Sequence, residues 1–399
     1  MKRTSKISVE DVNKHKKEIS MLSLYYKHLY PIGNIFKWLS HNVFGDSDKF
    51  SKREIALVKK DVQDNKIYRR NISFKSLDIF RKYLNHELPH TIEAGAVMNL
   101  RPNNVPTKGR FPVEKELVFD IDVSDYDEVR TCCSGKDICR KCWKFMVVAC
   151  RILKECLHED FGYENMLWVF SGRRGLHCWV CDKEVRELSE EIRKALVDYF
   201  TLPLRLVKRN DTLNINWSHP IIQRALIIIE PFFDEICLQD QEIFSEWKNI
   251  EKYLIAEIPD EINKENLREI IRNVQDCGSC VVWSAFCAFV DSLDVELQKD
   301  IDLIGSIQIY MLYPRLDVNV TKGVSHLLKT PFSIHPDTLK VAIPFDPDKI
   351  NHFNTETVPT LPILCREIED CVSKGVPVNK VSLLLPFLTI FQNFLAKLE

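Results

Sequence analysis

The run ELVFDIDVS places Asp120 and Asp122 two residues apart in an alternating apolar stretch. At a strand's period of two, Leu117, Phe119 and Ile121 share one face, and Val118, Asp120 and Asp122 share the other. Two carboxylates on one face of an apolar strand repel each other and lose hydration. A divalent cation relieves both. Hard oxygen ligands suit Mg²⁺ or Mn²⁺, and paired Asp can bridge two such ions about 3.5–4 Å apart. A pair at a strand's solvated end would need no cation, so this motif by itself leaves both readings open. YPRLDVNV repeats the pattern and reads as a second strand, with Leu316, Val318 and Val320 on one face and Arg315, Asp317 and Asn319 on the other. A third carboxylate in a like setting favours a two-metal site. Such a site activates an attacking hydroxyl and stabilises a leaving pyrophosphate.

The apolar runs MLWVF and LHCWVC flank SGRRG and read as a hairpin. Arg173 and Arg174 sit in its Gly-bracketed loop, and guanidinium groups present a planar donor fork that matches phosphate oxygens. Gly172 and Gly175 would let backbone approach a ligand closely. Ser171 adds a hydroxyl. His177 faces away from Leu176 and Cys178 and can share a site with the loop. The set suits a nucleotide triphosphate; the plain alternative is a solvated turn. No GxxxxGK[ST] occurs, which excludes a P-loop. Downstream, Lys322, His326, Lys329 and His335 offer further groups for a phosphate.

Cys132, Cys133, Cys139 and Cys142 follow the first aspartate pair with the spacing CC-x5-C-x2-C. Four thiolates this close suit a closed tetrahedral Zn²⁺ site, structural because no position stays open. Adjacent cysteines tend to diverge, so a His in place of one of them is the alternative. Two further CxxC pairs, Cys178 with Cys181 and Cys277 with Cys280, are expected to be buried free thiols.

The elements that must position these groups follow from periodicity. Residues 8–29 predict a helix opened by a Ser8–Asp11 capping box. Residues 34–40 continue as a short apolar segment. IYRRNISF and IEAGAVMNL read as strands around a helix near 75–84, followed by the polar loop RPNNVPTKGRFP. A helix over 143–158 turns Met146, Ala149, Ile152, Leu153 and Cys156 to one side. LKVAIPFD is a further strand signal. At the C-terminus, Leu384, Leu388, Phe391, Leu395 and Leu398 line one helix face, read as packed on the core. Residues 186–310 are charge-rich and helical in period. The domain expectation is therefore a catalytic core in two parts, 1–185 (with the cysteine motif at 132–142) and 311–399, interrupted by a helical subdomain over 186–310.

Composition bounds the function classes. The 399 residues include only 30 Gly and Pro together, with 45% hydrophobic and 28% charged residues. That is globular usage, not low-complexity disorder. Net charge is −2, so any polyanion site must be a local patch. No run of 18 apolar residues predicts a membrane span. The basic start, MKRTSKISVEDVNKHKKE, lacks an apolar segment after it and does not read as a secretory signal. Fourteen cysteines without such a signal point to a reducing compartment, cytosol or nucleus.

ELVFDIDVSDYDEVRTCC…DICRKCW, LWVFSGRRGLHCWVCD and YPRLDVNVTKGVSHLLKTPFSIHP, in that order, resemble the small catalytic subunit of eukaryotic DNA primase, in the archaeo-eukaryotic primase superfamily, over roughly residues 20–370. The resemblance implies an α/β (α+β) fold of mixed β-sheets with an inserted helical subdomain. It implies DNA-templated synthesis of RNA primers from ribonucleoside triphosphates, begun without a primer. By the same likeness Asp120, Asp122 and Asp317 are the metal-binding catalytic set, holding two Mg²⁺ or Mn²⁺ ions. Ser171, Arg173, Arg174 and His177 form the phosphate motif, and Lys329 and His335 are further nucleotide contacts. Arg70 and Glu93 fall where the family has nucleotide-site residues, although the family usually carries Asp at the latter position. The cysteines are its structural zinc site, with one ion. Implied partners are a large subunit with an iron–sulfur cluster, DNA polymerase α with its accessory subunit, and single-stranded DNA; the implied compartment is the nucleus. Competing readings are a superfamily polymerase that extends primers but needs a partner to initiate, a zinc-containing replication scaffold without catalysis, and a two-metal nuclease.

Overall fold

The computed structural model describes residues 8–41, 47–102, 109–202, 217–258, 260–293, 303–378 and 382–398. Two antiparallel sheets form its centre. In the first, β2 (Lys66–Ile72), β1 (Arg53–Lys60), β3 (Thr91–Met98) and β4 (Pro112–Glu114) lie in that order, and the two-residue β8 (Leu328–Lys329) also pairs with β3. The second has the order β5 (Leu117–Asp122), β7 (Gly175–Val180), β6 (Met166–Phe170). The mixed α/β fold expected from sequence is the one observed.

The first sheet pairs a buried central strand with an exposed edge. β1 is buried over Arg53–Val58, whereas β2 is exposed from Lys66 to Arg70. β7, flanked by β5 and β6, is buried along its whole length. The helix Arg140–Glu159 covers this sheet. Met146, Ala149, Ile152, Leu153 and Cys156, the face predicted from sequence, are all buried. The helix Val9–His28 opens on Ser8, whose hydroxyl accepts from the Asp11 amide while the Asp11 carboxylate accepts from the Ser8 amide. It buries Leu22, Tyr25 and Tyr26. The C-terminal helix Leu385–Lys397 packs as predicted: Phe391 meets Trp38 edge-on at 6.0 Å, and Trp38 meets Trp179 of β7 at 4.9 Å.

One buried ion pair stitches the two sheets together. Arg53 of β1 donates to both oxygens of Glu116, at 2.7 and 2.9 Å, and to the Gly95 carbonyl of β3 at 2.9 Å. Glu116 immediately precedes β5. A guanidinium this deeply buried is tolerable only when its donors are satisfied, and breaking such a pair costs about 3–5 kcal/mol. From the other side, Arg193 in the helix Glu190–Phe200 donates to the Lys115 and Glu116 carbonyls at 2.5 and 3.2 Å. The start of β5 is thus fixed at both flanks.

The stretch expected to be a helical subdomain carries helices at Glu190–Phe200, Pro220–Phe233, Trp247–Tyr253, Glu261–Arg272, Ser279–Asp291 and Leu303–Leu312, and no strand among the described residues. Residues 203–216, 259 and 294–302 of it lie outside those described. Its buried Ile229, Tyr253 and Phe286 join the same apolar cluster as Leu117 and Trp168 of the second sheet.

Three expectations are corrected, and one strand is added. YPRLDVNV is not a strand: Asp317 caps a short helix, Val318–Lys322, by accepting from the Asn319 amide at 3.0 Å. An aspartate that satisfies a helix's first free amide starts a helix however strand-like the alternation around it. LKVAIPFD forms only isolated bridges, Lys340 with Thr360, Val341 with Ile334 and Pro344 with Val169. Strand β1 adds to the strands read from sequence: REIALVKK is buried on both faces over Arg53–Val58 and shows little alternation. Finally, Cys277 and Cys280 are exposed, not buried. They bracket Gly278 at the start of the helix Ser279–Asp291, off the face that buries Val282, Trp283 and Phe286. Cys178 and Cys181 are buried as expected.

Candidate active site

Asp120 and Asp122 leave the same face of β5, and Asp317 reaches them from the other end of the sequence through its amide, which donates to the Asp120 carbonyl at 3.0 Å. Burial, and then the negative charges of Asp122 and Asp317, push the Asp120 carboxyl up to about 7. Burial alone would raise Asp122 as well. Instead Arg174 Nε donates to both its oxygens, at 2.6 and 2.8 Å, and the Ser124 amide and hydroxyl donate at 2.8 and 2.7 Å. These contacts hold Asp122 below its ordinary value. Asp125 is a fourth carboxylate in the group, raised by burial and then by Asp122 and Asp317. So much mutually repelling negative charge fits cation binding by hard oxygen ligands.

β7 delivers the basic groups. His177 lies directly across from Asp120 in the ladder, its Nε2 3.6 Å from the Asp120 carboxylate. Burial and the nearby Lys329 ammonium push the imidazole down to about 3, so it is neutral at physiological pH. The turn before β7 is set by contact. Ser171 Oγ accepts from the Gly175 amide at 3.0 Å. Gly172 has φ +90°, and a Cβ there would come within 2.9 Å of His335 Cβ. A Cβ on Gly175 would meet the Ile121 carbonyl oxygen at 2.7 Å. These glycines therefore let the turn approach its own neighbours closely. Arg174 turns to Asp122, while Arg173 pairs with Asp337 at 3.0 Å, a carboxylate it shares with Lys66 at 3.3 Å.

Lys329 is the bridge between the two sheets. In β8 it pairs with Glu93 of β3, and its ammonium donates to the Ser171 carbonyl at 2.9 Å. Burial lowers it to about 8, while Glu93 and Asp120 oppose the fall. Glu93 is raised by burial and accepts from the Tyr68 hydroxyl at 2.9 Å. Arg70 binds Glu54 at 2.9 Å and the Ser325 carbonyl at 3.3 Å, in the loop after Asp317. His335 Nδ1 accepts from the Asp337 and Thr338 amides at 3.2 and 3.3 Å. Burial drives His335 down to about 3. Of the other candidates, Lys322 lies 3.9 Å from Asp198, and His326 is exposed in the Gly323–His326 turn.

The four cysteines are free thiols whose sulfurs lie within 4.8 Å of one another, a preformed group of potential metal ligands. The Cys132–Cys139 and Cys139–Cys142 sulfurs are 3.6 and 3.9 Å apart. A tetrahedral ion with Zn–S bonds of about 2.3 Å requires an edge of about 3.8 Å. The set can hold a metal ion such as zinc, with no His in place of a cysteine. Neighbours missing from the sequence reading complete it. Gln241 accepts from the Thr131 and Cys132 amides at 2.7 and 3.2 Å and donates to the Cys132 sulfur at 3.4 Å. Arg130 donates to the Cys142 sulfur at 3.6 Å. Asp125, Tyr68 and Asp337 were missed as well. Asp125 had a signal, since it stands three residues after Asp122. The others depend on contacts far apart in sequence.

Comparison with known proteins gives the family. The family model described as DNA primase small subunit matches residues 119–347, a span holding the three aspartates, the turn, Lys329 and the cysteines. The chain is 39% identical to a DNA primase small subunit from Drosophila melanogaster over 95% of this chain and 91% of that protein. It is 36% identical to one from Saccharomyces cerevisiae over 95% and 91%, and 36% identical to one from Schizosaccharomyces pombe over 86% and 77%. The chain belongs to the DNA primase small subunit family.

Proposed function

We propose that this chain is a DNA-dependent RNA polymerase that makes short RNA primers de novo on single-stranded DNA for the initiation of replication. The observation that carries the reading is the convergence of Asp120, Asp122 and Asp317 beside the buried His177 and the partly buried Arg174 and Lys329. Polymerisation needs both halves: carboxylates for cations, and cations for a triphosphate. A scaffold needs neither, and a nuclease has no use for the triphosphate clamp.

Asp120, Asp122 and Asp317 would hold two Mg²⁺ or Mn²⁺ ions. When bound, these supply Lewis-acid activation of a 3′-hydroxyl and neutralise charge on the departing pyrophosphate. Arg173, Arg174 and Lys329 orient the triphosphate and stabilise the charge that develops as pyrophosphate leaves. His177, neutral, offers a hydrogen bond without adding charge. Ser171 and His335 shape the wall beside Lys329, and Arg70 and Glu93 close the side toward β2. Cys132, Cys133, Cys139 and Cys142 take one structural Zn²⁺. The family's naming as a small subunit supports a larger partner. We assign that partner as the iron–sulfur large subunit, acting with DNA polymerase α and its accessory subunit in the nucleus. We also assign residues 186–310 as a helical subdomain inserted between core segments 1–185 and 311–399. No helix among the described residues is long and apolar enough to cross a membrane.

The test supplies a homopyrimidine single-stranded template, ribonucleotides and Mg²⁺ or Mn²⁺ without primer. Short RNA bearing a 5′-triphosphate, absent with Asp122→Ala, supports the reading. Failure to make RNA either unprimed or from a supplied primer would refute it.

A further inference from the structure

Arg174 is held at two ends. Its Nε binds Asp122, and its Nη1 donates to the Gly135 carbonyl at 3.3 Å, inside the loop that carries the four cysteines. Among the described residues, Nη2 has no partner. Gly135 is fixed in turn by residues just beyond β5. Its amide donates to Asp127 Oδ2 at 2.8 Å, and its carbonyl also accepts from Arg130 Nη2 at 3.1 Å. Arg130 binds Asp127 Oδ1 through Nε at 2.6 Å, and through Nη1 it reaches the Asp137 carbonyl at 2.9 Å and the Cys142 sulfur. The cysteine loop, the turn after β5 and the guanidinium on Asp122 are thus one closed hydrogen-bond network.

A freely rotating arginine has about 2 kcal/mol of rotamer entropy to lose on binding an anion. One held at two of its three nitrogens has lost much of it beforehand, and its remaining edge is aimed. A loop whose only task was to staple the fold would have no reason to touch the catalytic guanidinium.

We propose that the cysteine loop acts on the nucleotide site: through Gly135, Asp127 and Arg130 it presets Arg174, so that loop integrity sets the affinity for the nucleoside triphosphate. Asp127 and Arg130 are on this account positioning residues. The inference rests on the proposed phosphate role of Arg174 and adds a determinant of affinity that lies in the loop.

Calorimetric titration of ATP with Mg²⁺, without template so that no turnover occurs, tests it on the full chain. Asp127→Ala is expected to weaken ATP binding about 5-fold, the scale of one ordinary hydrogen bond. Cysteine-bound metal should stay close to wild type, since Asp127 touches no cysteine and Arg130 keeps its contacts to Gly135, Asp137 and Cys142. In an Arg174→Ala background the same change should have no further effect, because contacts in one network are not additive. Equal weakening in both backgrounds, or none in either, would overturn the proposal. If Asp127→Ala loses metal, the cycle is read on Asp127→Asn, which keeps an acceptor for the Gly135 amide but removes the charge that holds Arg130; weaker ATP binding there, absent in the Arg174→Ala background, supports the proposal, and unchanged binding overturns it. A wild-type chain that binds no ATP would remove the polymerase reading and the coupling with it. ATP binding that ignores Asp127 would remove the coupling alone.

Discussion

Gly175→Ala should separate the two halves of the site. Gly175 sits opposite Asp122 in the ladder, and a Cβ there would lie 2.7 Å from the Ile121 carbonyl oxygen. Ordinary contact begins near 3.4 Å, so about 0.7 Å must be found. The obstacle is backbone and cannot swing aside, so β5 and β7 must part at their Asp122 end. Overpacking of this kind costs about 1–3 kcal/mol. At about 2.1 cal/mol/K of unfolding entropy per residue over 399 residues, 2 kcal/mol lowers the melting temperature by only about 2–3 °C. The rate should fall far more, since a misplacement approaching 1 Å costs on the order of 100-fold. The assay is single-nucleotide addition to an RNA primer under rapid quench, alongside thermal melting. Gly33→Ala, where a Cβ meets nothing within 4 Å, is the control and should keep its rate. A Gly175→Ala rate within about threefold of wild type would refute the argument that this strand contact sets the carboxylates.

Other changes test other parts of the account. Metal analysis should find one zinc per chain. Cys142→Ser should release it and lower the melting temperature; an unchanged metal content would refute the site. Asp337→Asn removes the carboxylate that Arg173 and Lys66 share, and should tighten triphosphate binding about two- to fivefold by freeing both cations. Weaker binding would instead make Asp337 a guide for Arg173. Lys115, buried and then opposed by Arg193, is pushed down to about 7 although it donates to the Gly323 carbonyl at 2.7 Å. Its ordinary value is near 10.4, so between about pH 7 and 10 the unfolded chain binds more protons than the folded one, and stability rises with pH. Denaturant midpoints of Lys115→Met should lack that rise, and parallel curves for the two proteins would contradict it.

Much of the site was legible because its chemistry is local. Asp120 and Asp122 alternate within one strand, Arg173 and Arg174 share one turn, and the cysteines fall within eleven residues. Periodicity found the helix at Arg140–Glu159, which has one buried face to read, and two apolar runs around a Gly-bracketed turn found the β6–β7 hairpin. Asp317 was identified as a candidate, yet its element was misread: alternation in LDVNV imitates a strand, while the capping hydrogen bond of its first residue decides for a helix. What escaped altogether depends on long-range contact. Asp337 meets Arg173 across 164 residues, Gln241 meets Cys132 across 109, and Tyr68 meets Glu93 across two strands. No spacing in the chain encodes those meetings.

The most direct test of the central claim is the chemical step itself in Asp317→Asn. This side chain reaches the site from far along the sequence, and the change keeps its size and an acceptor for the Asn319 amide. Rapid-quench addition of one ribonucleotide to an RNA primer on a DNA template should slow at least about 100-fold at saturating nucleotide, equivalent to roughly 3 kcal/mol of lost transition-state stabilisation. Melting temperature should be nearly unchanged. A variant that adds the nucleotide at close to the wild-type rate would show that the three aspartates are not the catalytic set.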